Sequence, residues 1–211
     1  MKKLICFGDS ITDCGRLWDD PPLGAGYVSI LEKRLKETSS GPWSFLNCGV
    51  DGFTAARVLE QAQRFPAGRL SDPSADVWVS LLVGINDIYQ MLHTNRTPKQ
   101  QEEMMLRFRE TYDRLLSLLE AFLSGKGQLL IMEPFAFPVP ESNLLWFPWL
   151  SQMSKMIREL SDLHHGRWIP LQNDLLKEAK SQGFGNITLD GVHLTKDGHR
   201  ILAQKMYDLL I

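Results

Sequence analysis

The chain has 211 residues, of which 44% are hydrophobic and 23% are charged, and its formal net charge is −2. These values are typical of a globular domain with a full core, and they exclude both a disordered chain and the basic surface of a nucleic-acid-binding protein. The apolar run after Lys3 has only four residues, which is too short for a signal peptide or a membrane span and predicts a cytoplasmic protein.

Short β-rich runs alternate with helical periodicity along the chain. The apolar runs predict five strands, over 4–7, 43–46, 76–83, 128–132 and 168–170. Apolar residues at helical spacing predict helices over 26–36, 55–63, 150–164 and 173–182. Thr54 is the expected N-cap of the second of these helices. Thr97 with Pro98 opens the longest helix, and Thr195 caps a last helix that ends at Leu210.

This alternation predicts the fold class. Repeated strand–helix units without a linker indicate one α/β domain over 1–211, in which helices cover both faces of a five-stranded parallel sheet. The nearly continuous apolar run over 76–83 is typical of a central strand that is buried on both faces. We therefore predict a three-layer α/β/α sandwich.

Polar residues stand where such a fold assembles a site. Ser10, Gly52 and Asn86 follow the first three strands, and Asp190 and His193 precede the last helix. Each has a plainer interpretation, as a helix cap, a turn residue or a surface histidine. Together they provide the nucleophile, base, orienting acid and hydrogen-bond donors that acyl transfer to serine requires.

The spacing agrees with that chemistry. Ser10 lies at a strand-to-helix turn, beyond the carboxyl edge of the sheet where open α/β folds bind ligands. Asp190 lies three residues before His193, so a single loop can bring its carboxylate to the imidazole. Asn86 offers an uncharged amide that suits a developing oxyanion, and Gly52 has no Cβ to obstruct its N–H.

Four motifs resemble the conserved blocks of the SGNH (GDSL) hydrolases, in the family's order. They are Gly8-Asp9-Ser10, Asn47-x-Gly49-x-x-Gly52, Gly84-x-Asn86-Asp87 and Asp190-x-x-His193. The resemblance implies a flavodoxin-like sandwich, with Ser10 as the nucleophile, His193 as the base and Asp190 as its partner. It also implies an oxyanion hole formed by the Ser10 N–H, the Gly52 N–H and the Asn86 side chain.

Within that family the chain looks most like intracellular acetylxylan esterases. The shared stretches are Gly8-Asp9-Ser10 continued to Arg16, Gly24-x-Gly26-Tyr27-Val28, and Ile85-Asn86-Asp87 followed by Tyr89-Gln90. Leu194-Thr195 departs from that likeness, because it replaces a His-Pro pair. The likeness implies a serine esterase that removes acetyl groups from carbohydrate esters. The alternative is a lysophospholipase or thioesterase of the same fold.

Four residues are candidates for binding the substrate: Asp9, Tyr27, Trp146 and Trp149. The two tryptophans lie in the proline- and aromatic-rich segment after the fourth strand, which we expect beside Ser10. One of them is a candidate to stack on a sugar ring or to cover the acyl pocket. Packing in the core or at a subunit interface is the alternative.

The remaining histidines considered, and two cysteines, are predicted to have structural roles rather than catalytic ones. His199 lies within the last helix without an acid three residues before it, and His164-His165 stand at a helix end, so packing or capping is expected for these. Cys14 and Cys48 are expected to behave as small buried hydrophobes.

No cofactor is predicted, and a small ester is the expected partner. Asp9, Asp13, Asp19 and Asp20 lack the spacing of metal ligands, so no metal is expected. The phosphate-binding loop G-x-x-x-x-G-K-[ST] is missing from the sequence, which argues against a nucleotide. The predicted partner is an acetylated oligosaccharide rather than nucleic acid or a membrane, and assembly into a homo-oligomer remains open.

Overall fold

The computed structural model describes residues 1–18, 22–39, 41–66 and 75–211. Five parallel strands form one sheet in the order β2-β1-β3-β4-β5. The strands are β1 (Lys2–Gly8), β2 (Trp43–Asn47), β3 (Asp76–Leu82), β4 (Leu129–Met132) and β5 (Arg167–Ile169). The predicted five-stranded parallel sheet is therefore confirmed, and its strand order is the flavodoxin-like one.

Helices pack on both sides of the sheet, as predicted. The helices are α1 (Ser10–Asp13), α2 (Tyr27–Thr38), α3 (Ala55–Gln63), α4 (Ile85–Leu92), α5 (Pro98–Glu120), α6 (Phe147–Leu163), α7 (Gln172–Gln182), α8 (Phe184–Ile187) and α9 (Lys196–Leu210), with a 3₁₀ turn over Glu141–Trp146 before α6. Among the described residues, no helix combines the length and the apolar character that crossing a bilayer would need.

The sheet separates two apolar cores. Successive side chains of a strand point to opposite faces, so Ile5 and Phe7 enter the core under α3, α5 and α6, whereas Leu4 and Cys6 enter the core under α2, α7 and α9. The central strand β3 divides its apolar side chains in the same way. This burial on both faces confirms the interpretation of the run over 76–83.

Two of the predicted helix caps form, and one does not. The Thr97 side chain accepts a hydrogen bond from the N–H of Gln100 at the start of α5, and Thr195 caps α9 in the same way. Thr54 precedes α3 but makes no capping hydrogen bond with its side chain. A carboxylate from the neighbouring α4, that of Asp87, accepts from the N–H of Ala55 instead, at 3.1 Å.

The helix predicted over 150–164 begins three residues earlier, at Phe147. Pro148 lies in its first turn, where a missing N–H costs no hydrogen bond, so the proline does not delay the start of the helix. The start of α1 at Ser10 agrees with the predicted strand-to-helix turn. The short helices α4 and α8 were not predicted, because they contain too few residues to show a periodic pattern. Asp19 and Asp20, considered above as metal ligands, lie outside the described residues.

Candidate active site

Ser10 is held at the carboxyl end of β1 by a tight turn into α1. Asp9 caps this helix, because its side chain accepts a hydrogen bond from the N–H of Ile11 at 3.1 Å. Ser10 is the first residue of α1, and its Oγ lies 2.9 Å from Nε2 of His193. The turn therefore presents the serine hydroxyl to an imidazole that lies 183 positions later in the chain.

A single loop before α9 orients that imidazole. Nδ1 of His193 lies 2.6 Å from Oδ2 of Asp190, and the other carboxylate oxygen accepts from the N–H groups of Val192 and His193 at 2.9 and 2.8 Å. A carboxylate accepts only, so Nδ1 carries the hydrogen in this pair. In the neutral imidazole, Nε2 then presents its lone pair to the Ser10 hydroxyl.

Glycine is required inside this loop. Gly191 has a φ of +92°, and a Cβ there would lie 1.8 Å from the carbonyl oxygen of Val139. The Gly191 carbonyl in turn accepts from the N–H of Phe137 at 2.8 Å. The loop that carries Asp190 and His193 therefore packs closely against the segment after β4, at Phe137 and Val139.

The Asp190 carboxylate favours its charged form. Partial burial alone would raise its pKa, but the hydrogen bonds from the His193 ring and from the backbone N–H groups of His193 and Val192 outweigh that effect, and the pKa of Asp190 is lowered. Asp190 is thus an anion at neutral pH, and it stabilises positive charge on the imidazole.

Asn86 lies in the first turn of α4, after β3. One hydrogen of its side-chain amide is donated to the carbonyl of Phe53 at 3.0 Å, which holds the α4 start against the loop after β2. An amide nitrogen carries two hydrogens, so the second remains for a ligand in the adjoining cavity.

Gly52 occupies a turn in the same loop as Phe53. Its φ is +73°, and a Cβ built on it would meet no atom within 4 Å. The backbone conformation, rather than lack of space, therefore favours glycine here. The prediction that a Cβ would obstruct the approach of the Gly52 N–H to a ligand stays a prediction.

A cavity of about 430 Å³ brings most of these groups together, although Gly52 is not among the residues that line it. Its walls include the predicted Ser10, Asn86, Asp190 and His193. Residues that the sequence did not single out as site residues also line it: Asp51, Tyr89, His93, Ser142 and Asn143. Tyr89 and His93 lie one helical turn apart on α4, so only a prediction of that helix would have placed them together.

A second cavity, of about 300 Å³, adjoins the first. Ser10, His193 and Asp51 line both cavities. The second cavity is otherwise walled by Cys14, Trp18, Leu189 and Leu194, among others, and is more apolar than the first. Ser10 thus borders two cavities of different chemical character.

Two of the predicted substrate-binding residues are buried away from both cavities. Tyr27 is 0% exposed, and its hydroxyl lies 3.2 Å from Oγ1 of Thr12. Asp9 is 1% exposed, and burial raises its pKa to about 7 although the cap hydrogen bond opposes the rise. The prediction of direct substrate contact is wrong for both, because neither side chain reaches the surface of the site.

The two candidate tryptophans differ in position. Trp146 lines the 430 Å³ cavity, but only 7% of it is exposed. Trp149 is half-buried against the core under α5 and α6 and is not part of the cavity wall. Trp149 is therefore a packing residue, which is the alternative that the sequence left open.

The rival histidines have structural roles. His199 is buried, its Nδ1 accepts from the N–H of Tyr27 at 3.2 Å, and burial lowers its pKa to about 4. His164 lies between two carboxylates of α5, 2.7 Å from Asp113 and 3.0 Å from Glu120. Both histidines serve helix packing, as expected. Within the described ranges, no three side chains of metal-ligand type are grouped so as to hold an ion.

Asp87, whose carboxylate caps α3, should make stability depend on pH. Burial raises its pKa to about 7, against an ordinary value near 4 in an unfolded chain. Between these values the folded protein binds more protons than the unfolded one, so this group's contribution to stability is complete below about pH 4. The contribution is then lost as the pH rises to about 7, by at most about 1.4 kcal/mol per pH unit.

Asp87→Asn keeps an oxygen for the Ala55 N–H but cannot ionise. We therefore expect its stability relative to wild type to improve between pH 5 and pH 7, in urea unfolding measured at both values. Asp197→Asn, at an exposed ion pair with Arg200, is the matched control. A relative stability of Asp87→Asn that is the same at both pH values would contradict the buried-carboxylate account.

The sequence of this chain matches a known family and a characterised relative over most of its length. The model of the GDSL-like Lipase/Acylhydrolase family matches residues 6–201. An acetylxylan esterase of Geobacillus stearothermophilus is 25% identical over 211 residues, covering 96% of this chain and 91% of that protein.

Solved structures share the fold. The crystal structure of Axe2, an acetylxylan esterase from G. stearothermophilus, matches with a TM-score of 0.81 at 22% identity, covering 98% of this chain and 92% of the other. LAE5, an alpha/beta hydrolase enzyme from the metagenome of Lake Arreo, matches with a TM-score of 0.77 at 21% identity, covering 98% and 93%.

Proposed function

Because the chain belongs to the GDSL-like lipase/acylhydrolase family and is an ester-hydrolysing serine hydrolase, we propose that Ser10, His193 and Asp190 are its catalytic triad. The observation that carries this proposal is the continuous hydrogen-bonded chain from Ser10 Oγ to His193 Nε2 at 2.9 Å and from His193 Nδ1 to Asp190 at 2.6 Å. A serine hydroxyl is a weak nucleophile until a neutral imidazole accepts its proton, and this chain supplies that imidazole in the required tautomer.

The reaction then follows in two steps. Ser10 Oγ attacks the ester carbonyl carbon while its proton passes to Nε2 of His193, and the carbonyl oxygen becomes an oxyanion. The alcohol leaves with the proton from Nε2, and the acyl group stays on Ser10. Water, deprotonated by the same nitrogen, attacks the acyl-enzyme, and the carboxylic acid leaves as Ser10 is reprotonated.

The oxyanion hole in this proposal consists of the backbone N–H groups of Ser10 and Gly52 and the Asn86 side chain. Asn86 supports this role because its amide lines the cavity and is already held by Phe53. Such a prepositioned donor needs no reorganisation when charge develops, which is the basis of its effect on rate.

Removal of the Asn86 amide should affect the transition state rather than substrate binding. We expect Asn86→Ala to lower kcat by roughly 10²–10³-fold with little change in KM, the effect of losing one oxyanion donor. Steady-state kinetics on a simple acetate ester measure this. The matched control is Asn186→Ala, which removes an exposed amide that donates to the carbonyl of Gln182. A change in KM alone would assign Asn86 to substrate binding.

The proposed substrate is a short acyl ester, most simply an acetyl ester, on a hydroxyl of an oligosaccharide. Two observations support it: the acetylxylan esterase that is 25% identical over nearly the whole chain, and a cavity whose walls combine aromatic rings with hydroxyl and amide groups. A lysophospholipase or thioesterase is the alternative, because the second cavity offers mainly apolar walls.

A chain-length series distinguishes these substrates. With the alcohol held constant, we expect kcat/KM to fall about tenfold or more from acetyl to butyryl esters and to be nearly lost for octanoyl, since each methylene changes discrimination by about 1–3 kcal/mol. Acetylated xylo-oligosaccharides should be deacetylated in the same assay. Equal or higher activity on octanoyl esters or lysophospholipids would overturn the carbohydrate proposal.

A further inference from the structure

The 430 Å³ cavity has an aromatic wall. This wall is formed by Tyr89 on α4 and by His93, the C-cap residue of that helix. The rings of Tyr89 and His93 are stacked, with centroids 4.1 Å apart and planes 17° from parallel. Both residues line the cavity together with Ser10 and Asn86. Tyr89 is 49% exposed although it is a large aromatic residue, so half of its surface is available to a ligand.

One hydrogen bond and a third ring support the pair. Nδ1 of His93 lies 3.1 Å from the carbonyl oxygen of Tyr89, and since a carbonyl only accepts, this nitrogen donates its hydrogen. Trp146 lies behind the pair, with its plane 74° from the Tyr89 ring and 85° from the His93 ring at centroid distances near 6 Å. Trp146 is buried, so it supports the two rings rather than offering its own face.

The pair also lies on the same short helix as Asn86. Asn86 is in the first turn of α4, Tyr89 follows three residues later, and His93 is the C-cap residue. A rigid helix of 8 residues therefore sets the distance between the proposed oxyanion donor and the aromatic wall. A substrate whose carbonyl is bound by Asn86 could therefore meet the two rings within the same cavity.

The chemistry of the surrounding wall favours a sugar over an alkyl chain. Ser142 supplies a hydroxyl group to the same cavity, and Asn143 supplies an amide oxygen, because its amide hydrogens are donated to the carbonyls of Phe137 and Val139. A sugar ring has an apolar C–H face that packs on an aromatic ring and a rim of hydroxyl groups that need such polar partners. An alkyl chain would leave those polar groups unsolvated, which is costly. The more apolar second cavity, walled by Trp18 and Leu189, suits an alkyl group better.

We propose that the stacked Tyr89–His93 pair is the binding platform for the sugar ring that carries the ester. This inference rests on the proposed carbohydrate ester substrate and adds to it the residues that select a sugar over other alcohols. Neither residue takes part in the bond-making steps at Ser10. Their contribution is therefore expected in substrate selection.

The test compares two acetate esters that differ only in the alcohol. Methyl acetate has the same acyl group as an acetylated xylo-oligosaccharide, but its alcohol is methanol, which has no sugar ring to pack on Tyr89 and His93. We expect Tyr89→Ala to lower the ratio of kcat/KM on the acetylated oligosaccharide to that on methyl acetate by about tenfold, the size of a lost aromatic contact. His93→Ala should lower the same ratio, and Tyr89→Phe should restore it, because the ring remains.

Trp18→Ala is the matched control, since it removes an exposed aromatic ring from the wall of the other cavity. If Trp18→Ala lowers this ratio of kcat/KM values and Tyr89→Ala does not, the sugar lies in the second cavity. That result would overturn the proposed role of the Tyr89–His93 pair. If the wild type is active on both esters and the ratio is unchanged in Tyr89→Ala and His93→Ala, only the platform is wrong. A wild type that hydrolyses methyl acetate but no acetylated oligosaccharide would overturn the proposed substrate as well.

Discussion

Ser10→Ala is expected to lower kcat by about 10⁴–10⁶-fold on any ester that the enzyme hydrolyses, the range found when a triad serine is removed. The substitution deletes a single oxygen, whose hydrogen-bond partner is Nε2 of His193. The residual rate would come from ester binding and from donors that stabilise the oxyanion during attack by water.

The fold should survive this change, because the cap of α1 is Asp9 rather than Ser10. Thermal unfolding is therefore expected to stay near the wild-type midpoint. Ser117→Ala is the matched control, since it removes an exposed hydroxyl of α5 that donates to the carbonyl of Asp113 and lines neither cavity. We expect its kcat to remain within about tenfold of wild type. Comparable losses in the two variants would contradict a nucleophilic role for Ser10.

Asp190→Asn is expected to lower kcat by about 10⁴-fold while leaving KM nearly unchanged. The asparagine oxygen can still accept from the N–H groups of Val192 and His193, so the loop keeps its backbone hydrogen bonds. The amide NH₂ would then face Nδ1 of His193 and donate to it. Nε2 would carry the hydrogen in the neutral ring, and the imidazole could no longer accept the Ser10 proton.

Asp197→Asn again serves as the control, because it neutralises an exposed carboxylate on α9 close in sequence to the site. We expect it to keep wild-type kinetics. Ring NMR of His193 provides a second measurement, which should show the hydrogen on Nδ1 in the wild type and on Nε2 in Asp190→Asn. An unchanged tautomer with full activity would remove Asp190 from the proposed triad.

Much of the framework could be predicted from the sequence, because the informative patterns are local. The run over 76–83 is apolar at nearly every position, which only a strand covered on both faces requires, and β3 is buried in that way. The polar residues Ser10 and Asn86 follow strands whose carboxyl ends meet at one edge of the sheet. Their convergence in one cavity therefore follows from the parallel topology.

The parts that could not be predicted depend on contacts distant in sequence. Tyr27 belongs to a stretch that resembles acetylxylan esterases, but a resemblance in sequence does not show that its side chain turns inward to Thr12. The α3 cap is supplied by Asp87, 32 positions away, so no local pattern around Thr54 could reveal it. Tyr89 and His93 were not identified as site residues because α4 is too short to show helical periodicity.

The most direct test of the account is covalent labelling with a serine-directed fluorophosphonate, followed by peptide mass spectrometry. The geometry of Ser10, His193 and Asp190 predicts one adduct, on Ser10, formed in the wild type, lost in Ser10→Ala and strongly slowed in Asp190→Asn. An adduct on any other residue, or a Ser10 adduct that forms equally fast without the Asp190 carboxylate, would contradict the proposed triad.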